Sequence, residues 1–199
     1  HKSNGNNCNA CSAASAEQLT AFRREIAATR SHAEGYTGNG YQGDIPDPPY
    51  LLFCRGDISL LLRKTVSVVG TRRLTPAGKV AAKEFAYDAA LNGDVVVSGL
   101  AKGADEYAHK GAVEAFFDCE EKGIDTSVIG KTIAVLPSSI DEILPHSNQK
   151  LAAQILQTGG LIISEYEPKM TIVNWHFVKR NRIIAGLSFA TVVVEAPAG

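Results

Sequence analysis

The clearest chemistry that this sequence offers is the binding of an anion at glycine turns that carry basic side chains. The first turn follows an apolar, β-branched run at residues 65–69 and consists of Gly70, Thr71, Arg72 and Arg73. Thr75 and Pro76 come next and are typical of a helix N-cap and a first helical turn. Such a strand–turn–helix unit presents free backbone N–H groups, and guanidinium groups bind phosphate through paired hydrogen bonds. An ordinary turn with solvated arginines is the alternative.

A second set of polar residues follows other predicted strands. After the apolar run at residues 95–97 comes another glycine-rich turn, which contains Ser98, Gly99, Lys102 and Gly103. Asn148 and Lys150 lie at the start of a predicted helix at residues 147–156. The carboxyl ends of parallel strands meet at one edge of a sheet, and ligands bind at that edge in open α/β folds. We therefore expect these turns to line one phosphate-binding site.

A basic segment on the last predicted helix adds Phe177, Lys179, Arg180, Asn181 and Arg182 to the candidate site. At about 100° per residue, Arg180 shares the apolar stripe that continues along this helix, so we expect it to reach the edge of the sheet. Arg182 points to roughly the opposite side, where it would meet solvent, a partner subunit or a longer ligand. The alternative for Arg180 is a structural ion pair with Glu165 or Asp105.

Aromatic and acid–base pairs lie close to these cations. Trp175 and Phe177 are placed to stack on unpaired bases, with packing in the core as the alternative for Trp175. Asp105 and His109 are four residues apart on one predicted helix. They could form half a metal site or an acid–base pair, but we favour a local hydrogen bond that braces the glycine turn.

Motifs of catalysis are missing from the sequence. It contains no GxGxxG after a predicted strand, no GxxxxGK[ST], no nucleophile elbow and no HExxH. Cys8 and Cys11 form one CxxC, but no second pair completes a zinc site, so free thiols are expected. Basic turns without an evident base or nucleophile favour a binding protein, and we expect no catalytic residue, metal or cofactor.

Alternating strands and helices must position these turns. Strands are predicted at residues 51–55, 65–69, 95–97, 132–136, 161–164 and 191–195. Helices are predicted at residues 76–91, 104–117, 147–156 and 175–187. Short strands that are apolar throughout indicate a parallel sheet that is covered on both faces. We therefore predict an α/β fold with a Rossmann-like, doubly wound, mostly parallel sheet and helices on both faces.

The composition is that of a soluble globular protein, with 199 residues, 45% hydrophobic residues and a formal net charge of -1. A polyanion must therefore be bound by local basic clusters. We expect a polar, partly flexible N-terminal segment at residues 1–44, with one helix at residues 15–32, and a Rossmann-like domain at residues 45–199. No membrane span or signal peptide is evident in the sequence. Because the chain begins with His1 and ends just after a predicted strand, we expect a trimmed piece of a longer protein.

Five motifs in order resemble one known family. They read VGTR from residue 69, VSGLAKGAD from residue 97 with AHKGA from residue 108, TIAVL from residue 132, LIISEY from residue 161 and RNRIIAGLS from residue 180. From about residue 46 to residue 196, the chain resembles the DNA-processing protein A family, DprA/Smf. This resemblance implies an extended Rossmann fold, a homodimer without catalytic activity, sequence-independent binding of single-stranded DNA, and loading of RecA in natural transformation or recombination.

The resemblance also implies a phosphate pocket formed by Gly70, Thr71, Arg72, Gly99, Lys102 and Gly103. Residues 145–150 and 180–182 would complete this pocket. The sequence departs from the family pattern at residues 118–129, which we expect to form a surface insertion, and at Val178, where the family often has proline. A nucleotide phosphoribohydrolase on the same fold and a nucleotide-sensing module remain as alternative functions, although only Gly159 and Gly160 approach the PGGxGTxxE motif of the former.

Overall fold

The computed structural model describes residues 12–14 and 47–196, which form one sheet with its connecting helices. The strands are β1 Ser12–Ala14, β2 Leu52–Gly56, β3 Thr65–Val69, β4 Val95–Ser98, β5 Thr132–Leu136, β6 Leu161–Ser164 and β7 Ala190–Val193. The α-helices are α1 Pro76–Leu91, α2 Ala104–Glu121, α3 Gln149–Gln157 and α4 Asn174–Leu187. Short 3-10 helices at Ile58–Leu62 and His146–Asn148 precede β3 and α3.

The strand order is β1-β2-β6-β5-β4-β3-β7. All strands from β6 to β7 in this order run parallel, whereas β2 pairs antiparallel with β6 and β1 pairs antiparallel with β2. The predicted α/β class with a mostly parallel, Rossmann-like sheet is therefore confirmed. Because the parallel strands share one direction, the turns that follow them meet at one edge of the sheet.

Helices cover both faces of the sheet, as predicted. On one face, Ile183 and Leu187 of α4 join the core cluster that contains Val97 and Ile133. On the other face, α1, α2 and α3 pack over side chains such as Val96, which points opposite to its neighbour Val97. This burial on both faces explains why the strands are apolar throughout.

Several element bounds differ from those that the sequence predicts. α2 continues to Glu121, so the first residues of the expected insertion at residues 118–129 are helical. Tyr87 of α1 donates a hydrogen bond to Asp118 at 2.9 Å, and Cys119 is buried, which explains the additional helical turn. The tertiary contact therefore overrides the polar composition of this segment.

At the termini, β7 covers Ala190–Val193 rather than residues 191–195. β1 is a strand that the polar composition of residues 1–14 does not predict. The predicted helix at residues 15–32 and the Cys8 and Cys11 pair lie outside the described residues. Among the helices that are described, none is long and apolar enough to cross a membrane.

Candidate functional site

A cleft of about 320 Å³ lies at the edge of the sheet where the parallel strands end. The turns that follow β3 and β4 form one side of the cleft, and α4 forms the other. Six residues of the predicted site line it, namely Gly70, Arg72, Lys102, Phe177, Arg180 and Asn181. Asp105 also contributes to the lining. The structure thus brings together the turn with Arg72, the turn with Lys102 and the basic segment of α4. This grouping agrees with the rule that ligands bind at the carboxyl ends of parallel strands, which we call the strand-end rule.

Arg72 extends from the first turn toward α4. The residue is exposed, and its guanidinium carbon lies 5.4 Å from the centre of the Phe177 ring. The ring face attracts a cation, so this contact links the two sides of the cleft. Thr71 supports the turn because its hydroxyl accepts a hydrogen bond from the Arg73 backbone N–H at 3.1 Å. Arg73 itself is exposed but is not among the residues that line the cleft.

The carboxylate of Glu195 contacts the residue that caps α1. Thr75 caps the helix as predicted, and its hydroxyl accepts a hydrogen bond from the Gly78 backbone N–H at 3.0 Å. The Glu195 carboxylate accepts hydrogen bonds from the Thr75 backbone N–H at 3.0 Å and from the Thr75 hydroxyl at 3.3 Å. The phosphate site expected at the α1 N-terminus stays a prediction, and a ligand there would meet the Glu195 carboxylate.

The second glycine turn, residues 98–103, packs directly against the first. Gly103 has a φ of +82°, and a Cβ at this position would overlap the Thr71 carbonyl oxygen, so glycine is required here. The Ala104 backbone N–H donates to the same carbonyl at 3.2 Å. Lys102, immediately before Gly103, is exposed. The two turns therefore form one wall that carries Arg72 and Lys102.

Two residues predicted to contact phosphate are buried supports of the second turn. Ser98 donates its hydroxyl to the Val68 carbonyl at 2.6 Å, and Asn148 donates its amide to the Leu100 carbonyl at 3.0 Å. Leu100 has a φ of 58°, a left-handed conformation that is unusual for a branched side chain. Because both side chains have partners inside the protein, they shape the turn and do not line the cleft.

Arg180 forms the floor of the cleft. It reaches the edge of the sheet as expected, but only 4% of the residue is exposed. Its Nη1 donates to the carbonyl oxygens of Gly99 and Val135, near the ends of β4 and β5, and its Nε donates to Asn181 Oδ1 at 3.2 Å. Burial lowers the pKa of the Arg180 guanidinium, and the negative charge of Asp105 opposes this effect.

Asp105 braces the second glycine turn, as the sequence predicts. Its carboxylate accepts a hydrogen bond from the Ala101 backbone N–H at 3.4 Å. Burial raises the pKa of Asp105, and the charge of Arg180 opposes the change. His109 has a different partner, since its Nδ1 lies 2.7 Å from Thr132 Oγ1. Complete burial, together with the charge of Arg180, lowers the pKa of His109 to about 3, which keeps the ring neutral.

The remaining cations of α4 are paired with carboxylates. Arg182 forms an ion pair with Glu165, and its Nε lies 3.5 Å from the Asp47 carboxylate. It is therefore Arg182 rather than Arg180 that pairs with Glu165, and the contact of Arg182 with a partner or a longer ligand stays a prediction. Lys179 Nζ lies 3.7 Å from the Asp47 carboxylate and 5.5 Å from the centre of the Trp175 ring.

The exposed fraction of Trp175 distinguishes its two predicted roles, which are stacking on a base and packing in the core. The residue is 55% exposed, so packing in the core is wrong and the ring is accessible for stacking. Lys150 is exposed on α3 and is not among the residues that line the cleft. In the part of the chain that the structure describes, no group of three or more His, Cys, Asp or Glu side chains could hold a metal ion.

Glu195 and Asp47 are site residues that motif analysis missed. Glu195 follows the last apolar strand, so the strand-end rule could have identified it. Asp47 lies in a proline-rich segment far from α4 in sequence, and no local pattern indicates its contact with Arg182 and Lys179. Both carboxylates fix cations or loops at the rim of the cleft.

The comparisons with known proteins agree on one family. The sequence model of DNA recombination-mediator protein A matches residues 32–199. Protein Smf of Borreliella burgdorferi is 36% identical over 153 residues, which are 77% of this chain and 45% of that protein. DNA processing protein DprA of Streptococcus pneumoniae is 38% identical over 153 residues, which are 77% of this chain and 49% of that protein. The chain thus spans about half the length of these relatives.

A solved structure agrees with the sequence comparisons. DNA processing protein A from Helicobacter pylori, studied for its mode of single-stranded DNA binding, superposes with a TM-score of 0.65 at 35% sequence identity. The match covers 83% of this chain and 71% of the other. With its strand-end cleft, its interlocked glycine turns and these matches, the chain belongs to the DNA recombination-mediator protein A family, which includes the DprA and Smf proteins.

Proposed function

We propose that the cleft binds single-stranded DNA without sequence specificity. The observation that carries this proposal is the wall of two interlocked glycine turns, on which the exposed cations Arg72 and Lys102 lie beside Phe177 and Asn181. Lysine and arginine contacts to phosphates supply affinity but carry no sequence information. Since the formal net charge of the chain is -1, the attraction must come from this local cluster.

Accessible aromatic rings favour a single strand over a duplex. Phe177 lies at the cleft, and Trp175 is exposed two residues earlier on the same helix. Stacking of an unpaired base on such a ring contributes roughly 1–3 kcal/mol and tolerates any base. The single-stranded DNA binding described for the related Helicobacter pylori protein supports this assignment.

For the whole protein, we infer a role in DNA processing during transformation or recombination. We also infer that the protein loads RecA, forms a homodimer, lies in the cytoplasm and catalyses no reaction. Relatives named as DNA processing proteins support the first part. The other parts rest on membership of the family, because the chain spans about half the length of the curated relatives.

Titration of labelled oligo-dT with the protein at several salt concentrations tests the proposal. We expect affinity to fall steeply with salt, with a logarithmic slope of roughly -0.7 for each phosphate that the protein neutralises. Arg72→Ala and Lys102→Ala should each weaken binding to oligo-dT and to a mixed sequence equally, and each should reduce the slope by about 0.7. Lys122→Ala is the matched control, because Lys122 is an exposed cation at the far end of α2.

Three results would refute the proposal. Binding of mononucleotides without binding of oligo-dT would indicate a nucleotide-sensing module. Release of ribose phosphate from a nucleotide would indicate a phosphoribohydrolase. An effect of Lys122→Ala equal to that of Arg72→Ala would show that general charge, and not the cleft, attracts the DNA.

A further inference from the structure

One residue holds both ends of the arginine loop, which we define as residues 70–75. At the first end, the backbone carbonyl of Glu195 accepts a hydrogen bond from the Thr71 N–H at 2.7 Å. At the second end, the carboxylate of the same residue accepts hydrogen bonds from the N–H and the hydroxyl of Thr75, at 3.0 and 3.3 Å. Arg72 and Arg73 lie between these two anchors.

Gly70 and Gly78 lie in close contact with Glu195. A Cβ at Gly70 would lie 2.8 Å from the Glu195 carbonyl oxygen, and a Cβ at Gly78 would overlap the carboxylate oxygen Oε2. A side chain at Gly70 would therefore press on the Glu195 backbone, whereas one at Gly78 would displace the carboxylate from its present position. The first anchor is thus built into the backbone, and the second depends on the Glu195 side chain.

The position of this carboxylate decides which groups remain for a ligand. At the α1 N-terminus, the Thr75 hydroxyl accepts from Gly78 while it donates to Glu195, so both of its hydrogen-bonding roles are used within the protein. The cations that remain exposed on the loop are Arg72 and Arg73, and of these Arg72 lines the cleft. The loop therefore offers guanidinium groups at its centre and a protein carboxylate at its end.

We propose that Glu195 is a positioning residue for DNA binding: it holds the arginine loop at both ends so that Arg72 lies beside Phe177 in the cleft. The proposal rests on the proposed function, since it assigns Arg72 to phosphate. The opposite role is a carboxylate that competes with DNA phosphate for the start of α1. The two roles differ in sign, because loss of the carboxylate weakens binding in the first case and strengthens it in the second.

The first experiment compares Glu195→Ala with Glu195→Gln in the oligo-dT titration. Glutamine keeps an oxygen that accepts hydrogen bonds from Thr75, so we expect its affinity to stay within about threefold of wild type. Alanine removes the second anchor, and we expect affinity to fall roughly tenfold, an effect of the size that loss of one phosphate contact gives. Glu167→Ala controls for the simple removal of negative charge at this edge, because Glu167 is exposed after β6. Tighter binding by Glu195→Ala than by Glu167→Ala would overturn the proposal.

A double-mutant cycle tests whether Glu195 acts through Arg72. If it does, Glu195→Ala should have little further effect on affinity in the Arg72→Ala background. A full additional loss in the double variant would overturn the positioning role. Urea denaturation of each variant confirms that the compared proteins are folded, and Glu195→Leu, which also lacks a hydrogen-bond acceptor, carries the test if the alanine variant is not.

Amide exchange separates this proposal from the proposed function. Without DNA, we expect the Thr75 amide to exchange faster in Glu195→Ala than in wild type or in Glu195→Gln, whereas the Thr71 amide keeps its backbone acceptor in all three proteins. Exchange that is unchanged in Glu195→Ala would overturn the anchoring of the loop. If wild-type protein failed to bind oligo-dT while the exchange result held, the DNA-binding function would fail and the positioning role in it would fail as well, whereas the anchoring of the loop would stand.

Discussion

Replacing Arg180 with alanine should destabilise the fold and not only remove a cation from the cleft. The substitution removes the donor to the Gly99 and Val135 carbonyls and the positive charge beside Asp105. A buried carbonyl without a partner costs about 1–3 kcal/mol, and Arg180 donates to two of them. Because one side chain supplies all these contacts, the costs overlap, and we expect a loss of about 3–5 kcal/mol. That is a large share of the roughly 5–15 kcal/mol that stabilises a typical domain.

The Arg180→Lys variant separates the effect of the positive charge on stability from the effect of the hydrogen-bond geometry. Lysine keeps the positive charge near Asp105, but its compact ammonium cannot reproduce the planar fork of donors that guanidinium provides. We expect a loss of about 1.5–3 kcal/mol, the usual contribution of a hydrogen bond to a charged group. Urea denaturation followed by circular dichroism measures these losses, and fluorescence of Trp175, the single tryptophan of the chain, reports on α4.

Arg55→Ala is the matched control for these measurements. Arg55 forms an ion pair with Asp141 at 2.8 Å, with side-chain exposures of 32% and 58%, so its removal should cost no more than about 1 kcal/mol. The reasoning would be refuted if Arg180→Ala stayed within about 0.5 kcal/mol of wild type while oligo-dT binding and its salt slope fell as in Arg72→Ala. That result would make Arg180 a direct phosphate contact.

Three further predictions follow from the cleft and its supports. Gly99→Ala should reduce both stability and oligo-dT binding, because a Cβ would overlap the Arg180 guanidinium; retention of both would contradict the packing. His109 should contribute a loss of unfolding free energy of about 1.4 kcal/mol for each unit that the pH falls between roughly pH 6 and pH 4, since in this window its ring binds a proton only in the unfolded chain; His109→Gln should remove this contribution, and an unchanged slope would exclude it. Trp175→Ala should preserve stability but weaken oligo-dT binding by roughly 1–3 kcal/mol, whereas unchanged affinity would exclude stacking on this ring.

The sequence predicts the fold well because its local signals agree with the tertiary structure. The β-branched run at Thr65–Val69 and the Thr75 cap lie where the pattern places them. The strand-end rule then correctly groups Arg72, Lys102 and Arg180 at one cleft. These predictions depend on periodicity and turn chemistry, which act over a few residues.

The polar partners at the rim could not be predicted in the same way. Helical periodicity gives the direction of Arg182, but it does not show that Glu165 and Asp47 meet it there. Likewise, the cap at Thr75 is a local signal, whereas the carboxylate of Glu195 arrives from a strand 120 residues later. Such contacts depend on three-dimensional proximity, which a single sequence does not encode in any local pattern.

The placement of β7 links the occupancy of the cleft to local unfolding of the sheet edge. Among the described strands β7 pairs only with β3, and Val193 is 59% exposed. Strands with few buried contacts open at lower free energy than the centre of a sheet. Since Glu195 follows β7 and holds the arginine loop, each opening of this edge also releases Arg72. A ligand that requires the closed loop therefore stabilises the edge strand by mass action, and the occupancy of the cleft can be followed as slower amide exchange along β7.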